Sequence, residues 1–271
     1  MKRIVFSVLS LAMVLTVLLF TGCRRREQAA DAPFVIEIGG STSVVPVLEL
    51  LANGFQTANP QIRINIHSTG SSDGIRNAGT LYQLGMTSRE LNPTELGMGL
   101  NEQLIAIDGI AVIVHHTSPV TDLTLEQIRG IYTGDISDWS QVSSNKSGTI
   151  AVITREEGSG TRGAFEEMVG FAGQLRAGAI EGPSTGAIRS NVAGNPNAIG
   201  YISTGSIDGS VRAISVDGIE ASAANMMAGT YGIARPFILL YRDLHPASRQ
   251  FLDWAITEGQ AFVARSWVPI N

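Results

Sequence analysis

The segment Arg155-Glu156-Glu157-Gly158-Ser159-Gly160-Thr161-Arg162 follows an apolar run at residues 149–153 and stands where a new helix would begin. A passage from strand through turn to helix gathers unpaired backbone N–H groups at the positive end of the helix macrodipole. Glycine lets the backbone come close to a ligand, and Ser and Thr hydroxyls add donors that rotate to suit it. Arg155 supplies a planar guanidinium fork that can bind two oxygens of a tetrahedral anion. The ordinary alternative for Arg155 is a surface salt bridge with Glu156 or Glu157. Arg162 reads as a solvated helix residue.

Two other turns repeat the design, Gly39-Gly40-Ser41-Thr42-Ser43 and Ser68-Thr69-Gly70-Ser71-Ser72. Any one of them alone is explained by N-capping. Three in one chain, one of them opened by an arginine, point to an anion site. Around these turns strand and helix patterns alternate. Residues 34–38 read as a strand, and Val44, Val47, Leu48, Leu51 and Phe55 share one helical face. Ile62, Ile64 and Ile66 alternate with polar residues, the pattern of a half-buried strand. Residues 111–114, 149–153 and 237–241 read as buried strands. Thr124-Leu125-Glu126-Gln127 is a capping box that opens a helix with Leu125, Ile128 and Ile131 inward, and residues 248–258 predict a closing helix. The alternation argues for an α/β fold with a mostly parallel sheet.

The first two dozen residues are set apart from the fold. Met1-Lys2-Arg3 is a basic start, residues 4–20 are apolar apart from Ser and Thr, and Thr21-Gly22 precedes Cys23, the only cysteine. Residues 1–22 are expected to be a lipoprotein signal peptide, with Cys23 the lipidated residue and residues 23–33 a tether; Phe20 stands where that pattern usually has Leu. A retained membrane helix is the alternative, for which the run is slightly short. No cysteine then remains for a disulfide, a thiolate metal site or a catalytic thiol. The formal net charge of −5 becomes more acidic once Lys2 and Arg3 leave with the signal. That balance disfavours a grip on nucleic acid but leaves room for a small anion held by local dipoles.

Enzyme chemistry has one foothold. Gly70-Ser71-Ser72-Asp73-Gly74 satisfies G-x-S-x-G, the nucleophile elbow of α/β-hydrolases, and His115, His116 and His245 follow it in order. Nothing near those histidines looks like a triad loop, so a secreted esterase is the minor alternative. No Walker-type P-loop occurs. His115-His116 lies at a strand end, where neighbours are expected on opposite faces, so no metal site is expected. Met86, Met98, Met226 and Met227 read as core filler.

The Arg155 segment closely resembles the signature of phosphate-binding proteins of the high-affinity phosphate ABC importer. Gly40-Ser41-Thr42-Ser43, Gly70-Ser71-Ser72-Asp73-Gly74 and Gly85-Met86-Thr87-Ser88-Arg89-Glu90 are similar, in order and spacing, to that family's first three phosphate loops. Asp108-Gly109-Ile110-Ala111-Val112-Ile113-Val114 and the stretch from Leu125 to Trp139 resemble its passage into the second lobe, and Arg235-Pro236-Phe237 its return. The resemblance implies a two-lobed periplasmic binding protein fold of type II, each lobe a mixed, mostly parallel sheet flanked by helices. One lobe would hold residues 34–108 and 232–271, the other residues 109–231, hinged near residues 107–109 and 228–235. The ligand would lie in the cleft between them. By position, Thr42, Ser43, Ser71, Arg155, Ser159, Gly160 and Thr161 would donate to phosphate oxygens. Some members carry at the position of Ser88 an aspartate that accepts the ligand's proton. Ser88 can donate or accept, so rejection of sulfate is less secure, and sulfate, molybdate and tungstate are the rival ligands. The resemblance further implies an exported monomer without a cofactor, anchored to the membrane by its lipid, that delivers phosphate to a membrane permease.

Overall fold

The computed structural model describes residues 33–270, so the signal segment, Cys23 and nearly all of the tether lie outside the described residues. The chain from residue 34 onward forms one compact unit. It opens with β1 (Phe34–Gly40) and α1 (Val45–Ala58), followed by β2 (Ile62–Ser68), α2 (Ser71–Asn77), β3 (Leu84–Thr87) and α3 (Pro93–Leu96). A long strand, β4 (Asn101–His115), then leads to β5 (Asp122–Leu123), α4 (Leu125–Thr133), β6 (Ala151–Arg155), α5 (Gly160–Val169), β7 (Ile180–Gly182) and α6 (Thr185–Ala193). After β8 (Ala198–Ser203), β9 (Val211–Ala213), β10 (Ser215–Val216) and α7 (Ala223–Met227), the chain returns through β11 (Ala234–Tyr241) and ends in α8 (Pro246–Ala255) and α9 (Gln260–Val263).

The main sheet has the order β2-β1-β3-β11-β4-β8-β6-β7, with β9 also on β4, and β5 and β10 pair separately. Its flanks are parallel, β1 with β2 and β3 on one side, β6 with β7 and β8 on the other. Between them β11 runs antiparallel to β3 and β4, and β4 antiparallel to β8 and β9. The sheet is therefore mixed: two parallel flanks are joined by two strands that carry the chain between halves, each antiparallel to every strand it pairs with.

Two apolar cores sit at opposite ends of this sheet. Val47, Leu48, Leu51 and Phe55, the face expected of α1, pack with Ile36, Ile38, Met86, Phe237 and Phe251. The other core joins Ile110, Val112 and Val114 of β4 to Ile128, Ile131, Tyr132, Trp139, Phe165 and Tyr201. Smaller clusters cover the opposite faces, around Ile75 and Leu240 in one half and around Ile113 and Ile188 in the other. Each half is thus a sheet covered on both sides, the arrangement that mixed α/β chains need to bury near-continuous apolar strands. Tyr231 and Ile233 pack in the second core.

Two sequence expectations are corrected here. His115 and His116 do not part to opposite faces: their ring centroids lie 4.2 Å apart, because β4 ends at His115 and His116 already belongs to a turn. Met86 and Met226 are core residues, but Met227 is 64% exposed, since the short helix α7 buries only Met226. No helix among the described residues is long and apolar enough to cross a membrane.

Candidate functional site

The loops that leave β1, β2 and β3 are tied to one another by backbone. Thr69 and Gly70 both donate N–H to the Gly40 carbonyl at 2.8 and 2.7 Å, and Ser41 N–H donates to the Met86 carbonyl at 2.9 Å. Gly40 is required there: its φ is +138°, and a Cβ would stand 2.1 Å from the Met86 oxygen. The three loops place Ser41, Thr42, Ser43, Ser71 and Ser88 side by side, all buried.

The second half supplies the opposing wall. Arg155 closes β6, and Ser159 caps α5 by accepting from Arg162 N–H at 3.3 Å. Gly160 and Thr161 then begin the helix with N–H groups that have no partner within it. The two walls meet. Ser43 Oγ lies 2.6 Å from Thr161 Oγ1, Thr42 Oγ1 lies 3.0 Å from Thr185 Oγ1, and Ser72 N–H donates to the Gly158 carbonyl at 3.1 Å. A Cβ on Gly160 would come within 2.3 Å of Ser71 Oγ and 2.9 Å of Ser88 Oγ. Of the expected residues, Thr42, Ser43, Ser71, Ser88, Gly160 and Thr161 are thus gathered at one point. Ser159 is buried nearby, with its hydroxyl oxygen engaged in capping.

Arg155 is buried yet paired. Its Nε and Nη2 donate to the two carboxylate oxygens of Glu156 at 2.8 and 2.7 Å, and Nη1 lies 3.5 Å from Thr185 Oγ1. The salt bridge raised as the alternative therefore exists, but it does not take the guanidinium to the surface. Two further groups hold the residue in place. Tyr201 hydroxyl accepts from Arg155 N–H at 3.2 Å, and Arg162 Nη1 donates to the Arg155 carbonyl at 3.0 Å. Burial pushes the Tyr201 hydroxyl up to about 12, so it stays protonated, and it shares a 2.8 Å hydrogen bond with Thr154. Arg162 is not the solvated residue expected: it is largely buried and bound to Glu166 at 2.7 Å and Glu181 at 2.9 Å.

The sequence reading missed Thr185, Ser41 and a buried ion pair. Thr185 begins α6 after the cap Ser184, so Ser184-Thr185-Gly186 is a further turn of the same Ser/Thr/Gly kind, the signal that was available. Asp108 of β4 and Arg235 of β11 pair at 3.0 Å with both side chains fully buried. Burial holds the Asp108 carboxyl above its ordinary range, against the pull of Arg235 beside it. The elbow motif does not assemble a triad: Ser72 lies in the first turn of α2. Among the described residues His67 binds Glu37, His115 binds Thr117 and His245 caps α8.

Chemically, the site is a ring of hydroxyl and N–H donors with two guanidinium groups, each neutralised by its own carboxylate. It suits a small anion with several acceptor oxygens. The comparisons agree with that description. Residues 27–258 match the model of the PBP superfamily domain. A Clostridium perfringens structure described as a phosphate ABC transporter substrate-binding protein with bound phosphate is 43% identical, with a TM-score of 0.84. That match covers 88% of this chain and 100% of the other. The phosphate-binding protein PstS of Borreliella burgdorferi is 25% identical over 94% of this chain and 93% of its own. Phosphate-binding protein PstS 2 of Streptococcus agalactiae is 35% identical, over 52% of each chain. The chain thus spans about half the length of that last relative.

Proposed function

The chain belongs to the PBP superfamily, among the phosphate ABC transporter substrate-binding proteins, and on that premise we propose that it captures inorganic phosphate outside the cytoplasm and hands it to an ABC importer. The observation that carries this reading is the convergence of Thr42, Ser43, Ser71 and Ser88 with Arg155, Gly160, Thr161 and Thr185 in one buried cluster. Thr42, Ser43, Ser71, Ser88, Ser159 and Thr161 donate hydroxyl hydrogens to the anion, and the first N–H groups of α5 at Gly160 and Thr161 add the dipole's positive end. Arg155 Nη1, turned away from Glu156, supplies the charged donor. Donors fixed before the ligand arrives need little reorganisation on binding. No covalent step is involved.

Capture proceeds by closure. Residues 34–108 and 232–271 act as one lobe and residues 109–231 as the other, turning about the paired crossing strands near residues 107–109 and 228–235. Contacts such as Ser43 with Thr161 form only when the lobes meet. The closed monomer then docks on a membrane permease. Residues 1–22 direct export, and a lipid on Cys23 keeps the protein at the membrane.

Arg155→Ala tests the site. Its expected effect is a loss of phosphate affinity of about 100-fold or more, since a buried charged donor is removed and Glu156 is left facing the anion. Thermal unfolding should stay cooperative. An Arg155→Ala protein that binds phosphate as tightly as the parent chain would remove this residue from the site.

A further inference from the structure

We propose that Arg235 is a positioning residue of the anion site, acting through Ser88; the proposal rests on the phosphate reading above. The two guanidinium groups near the cleft are used alike. Arg155 turns Nε and Nη2 to Glu156 and leaves Nη1 toward the Thr185 hydroxyl. Arg235 turns Nε and Nη2 to Asp108 Oδ2, at 3.2 and 3.0 Å, and sends Nη1 to Ser88, 3.2 Å from its Oγ and 3.3 Å from its carbonyl. Each arginine is thus neutralised on the side away from the cleft and reaches a cleft hydroxyl with its remaining nitrogen.

The consequence falls on Ser88. A serine hydroxyl has one hydrogen to give and two lone pairs to offer. Ser88 Oγ accepts from Arg235 Nη1 and also from the Ser41 hydroxyl at 2.8 Å. With both lone pairs taken, the hydrogen of Ser88 must point outward, to Ser71 Oγ 3.4 Å away or to a bound oxygen. Arg235 therefore makes Ser88 a fixed donor rather than a group that could turn either way.

The same arginine links the site to the crossing strands. Asp108 Oδ1 accepts from Ser203 and Thr204, at 2.7 and 3.1 Å, at the end of β8. Arg235 and Asp108 face each other in the register of β11 and β4. One continuous set of bonds thus runs from β8 through both crossing strands to the third loop.

The test is a double-mutant cycle on phosphate affinity, read by calorimetry on the full chain. Arg235→Met is combined with Asp108→Asn, so that no buried charge is left unpaired. Ser88→Ala alone should weaken phosphate binding by about 10- to 100-fold, the range for one hydrogen bond to a charged partner. The Arg235→Met/Asp108→Asn protein should lose a similar factor, and adding Ser88→Ala to it should lose nothing more. Parental affinity in that protein, or a further full loss when Ser88→Ala is added, would overturn the proposal. Should it fail to melt cooperatively, Arg235→Lys carries the test. Lysine keeps the charge beside Asp108 but lacks the third nitrogen of the fork. The same loss is then expected with an intact melt, and parental affinity counts against the proposal. A parent chain that binds no phosphate would sink the functional reading itself, and this proposal with it.

Discussion

Gly160 has no side chain at the point where the two walls of the cleft come together, and that gap sets up a clean separation of binding from folding. A methyl group there would stand 2.3 Å from Ser71 Oγ and 2.9 Å from Ser88 Oγ, atoms of the opposite wall. Alanine is otherwise a good helix residue, so Gly160→Ala should leave each half folded and hold the walls apart. Calorimetry should show phosphate affinity reduced by about 10-fold or more with the melting temperature little changed; parental affinity would mean that the walls do not close on this residue. Single residues were legible where the chemistry is local. Arg155 stands out because an arginine that opens a Gly/Ser/Thr turn brings a charged fork to a helix start; Ser43, Ser71 and Thr161 are named as donors only through the family resemblance. Thr185 did not stand out, because Ser184-Thr185-Gly186 has no flanking arginine to set it apart from the many Ser/Thr turns of the chain. Arg162 was misread because its partners, Glu166 and Glu181, lie on α5 and β7, and only the fold brings Glu181 near. Arg235 and Asp108 lie far apart in sequence and became a pair only through strand register.

At the scale of elements, the short helix α3 anchors the third loop of the site. Asn92 and Glu95 form a reciprocal capping box, and Arg89, next to Ser88, donates both Nη atoms to Glu95 at 2.6 and 2.8 Å. The Arg89 hydrogen bonds, against the opposing effect of burial, hold the Glu95 carboxyl below its ordinary value of 4.5. A depressed folded-state value means that the stabilisation is present above 4.5, and it is lost as pH falls through that lower value. Melting temperature should therefore decline with acidification across that window, and Glu95→Gln should flatten part of the decline; an unchanged acid slope in the variant would rule out this contribution. The capping box at Thr124 and Gln127 was read correctly from sequence and is present, because such signals involve only neighbours. The helical face of α1 and the alternation in β2 were equally legible. The extent of β4 was not: its apolar residues 104–107 and 110–114 are split by Asp108-Gly109, and only residues 111–114 are expected as strand. Its earlier residues include Asn101, Glu102 and Asp108, and pairing with β11 rather than composition makes them strand.

For the whole molecule, alternating strands and helices gave the α/β class, and the two cores at opposite ends of one sheet give the two halves physical meaning. What composition could not supply is the antiparallel crossing of β4 and β11, since a strand's direction depends on how the chain returns. The resemblance marks where the chain passes between halves, at residues 108–114 and 235–237, without the strands' direction; the fold shows why that direction matters, since every loop of the site hangs from strands on one side or the other of the crossing. The acidic chain can still hold an anion because the site balances its own charges locally, Arg155 with Glu156 and Arg235 with Asp108. The central claim is capture of phosphate by this cleft. The measurement that tests it most directly is calorimetric titration of the anion-stripped chain with inorganic phosphate, then repeated in excess sulfate. The account predicts tight binding of one phosphate per chain, with any effect of sulfate reporting how far Ser88 discriminates; an absence of binding heat at several temperatures would contradict it.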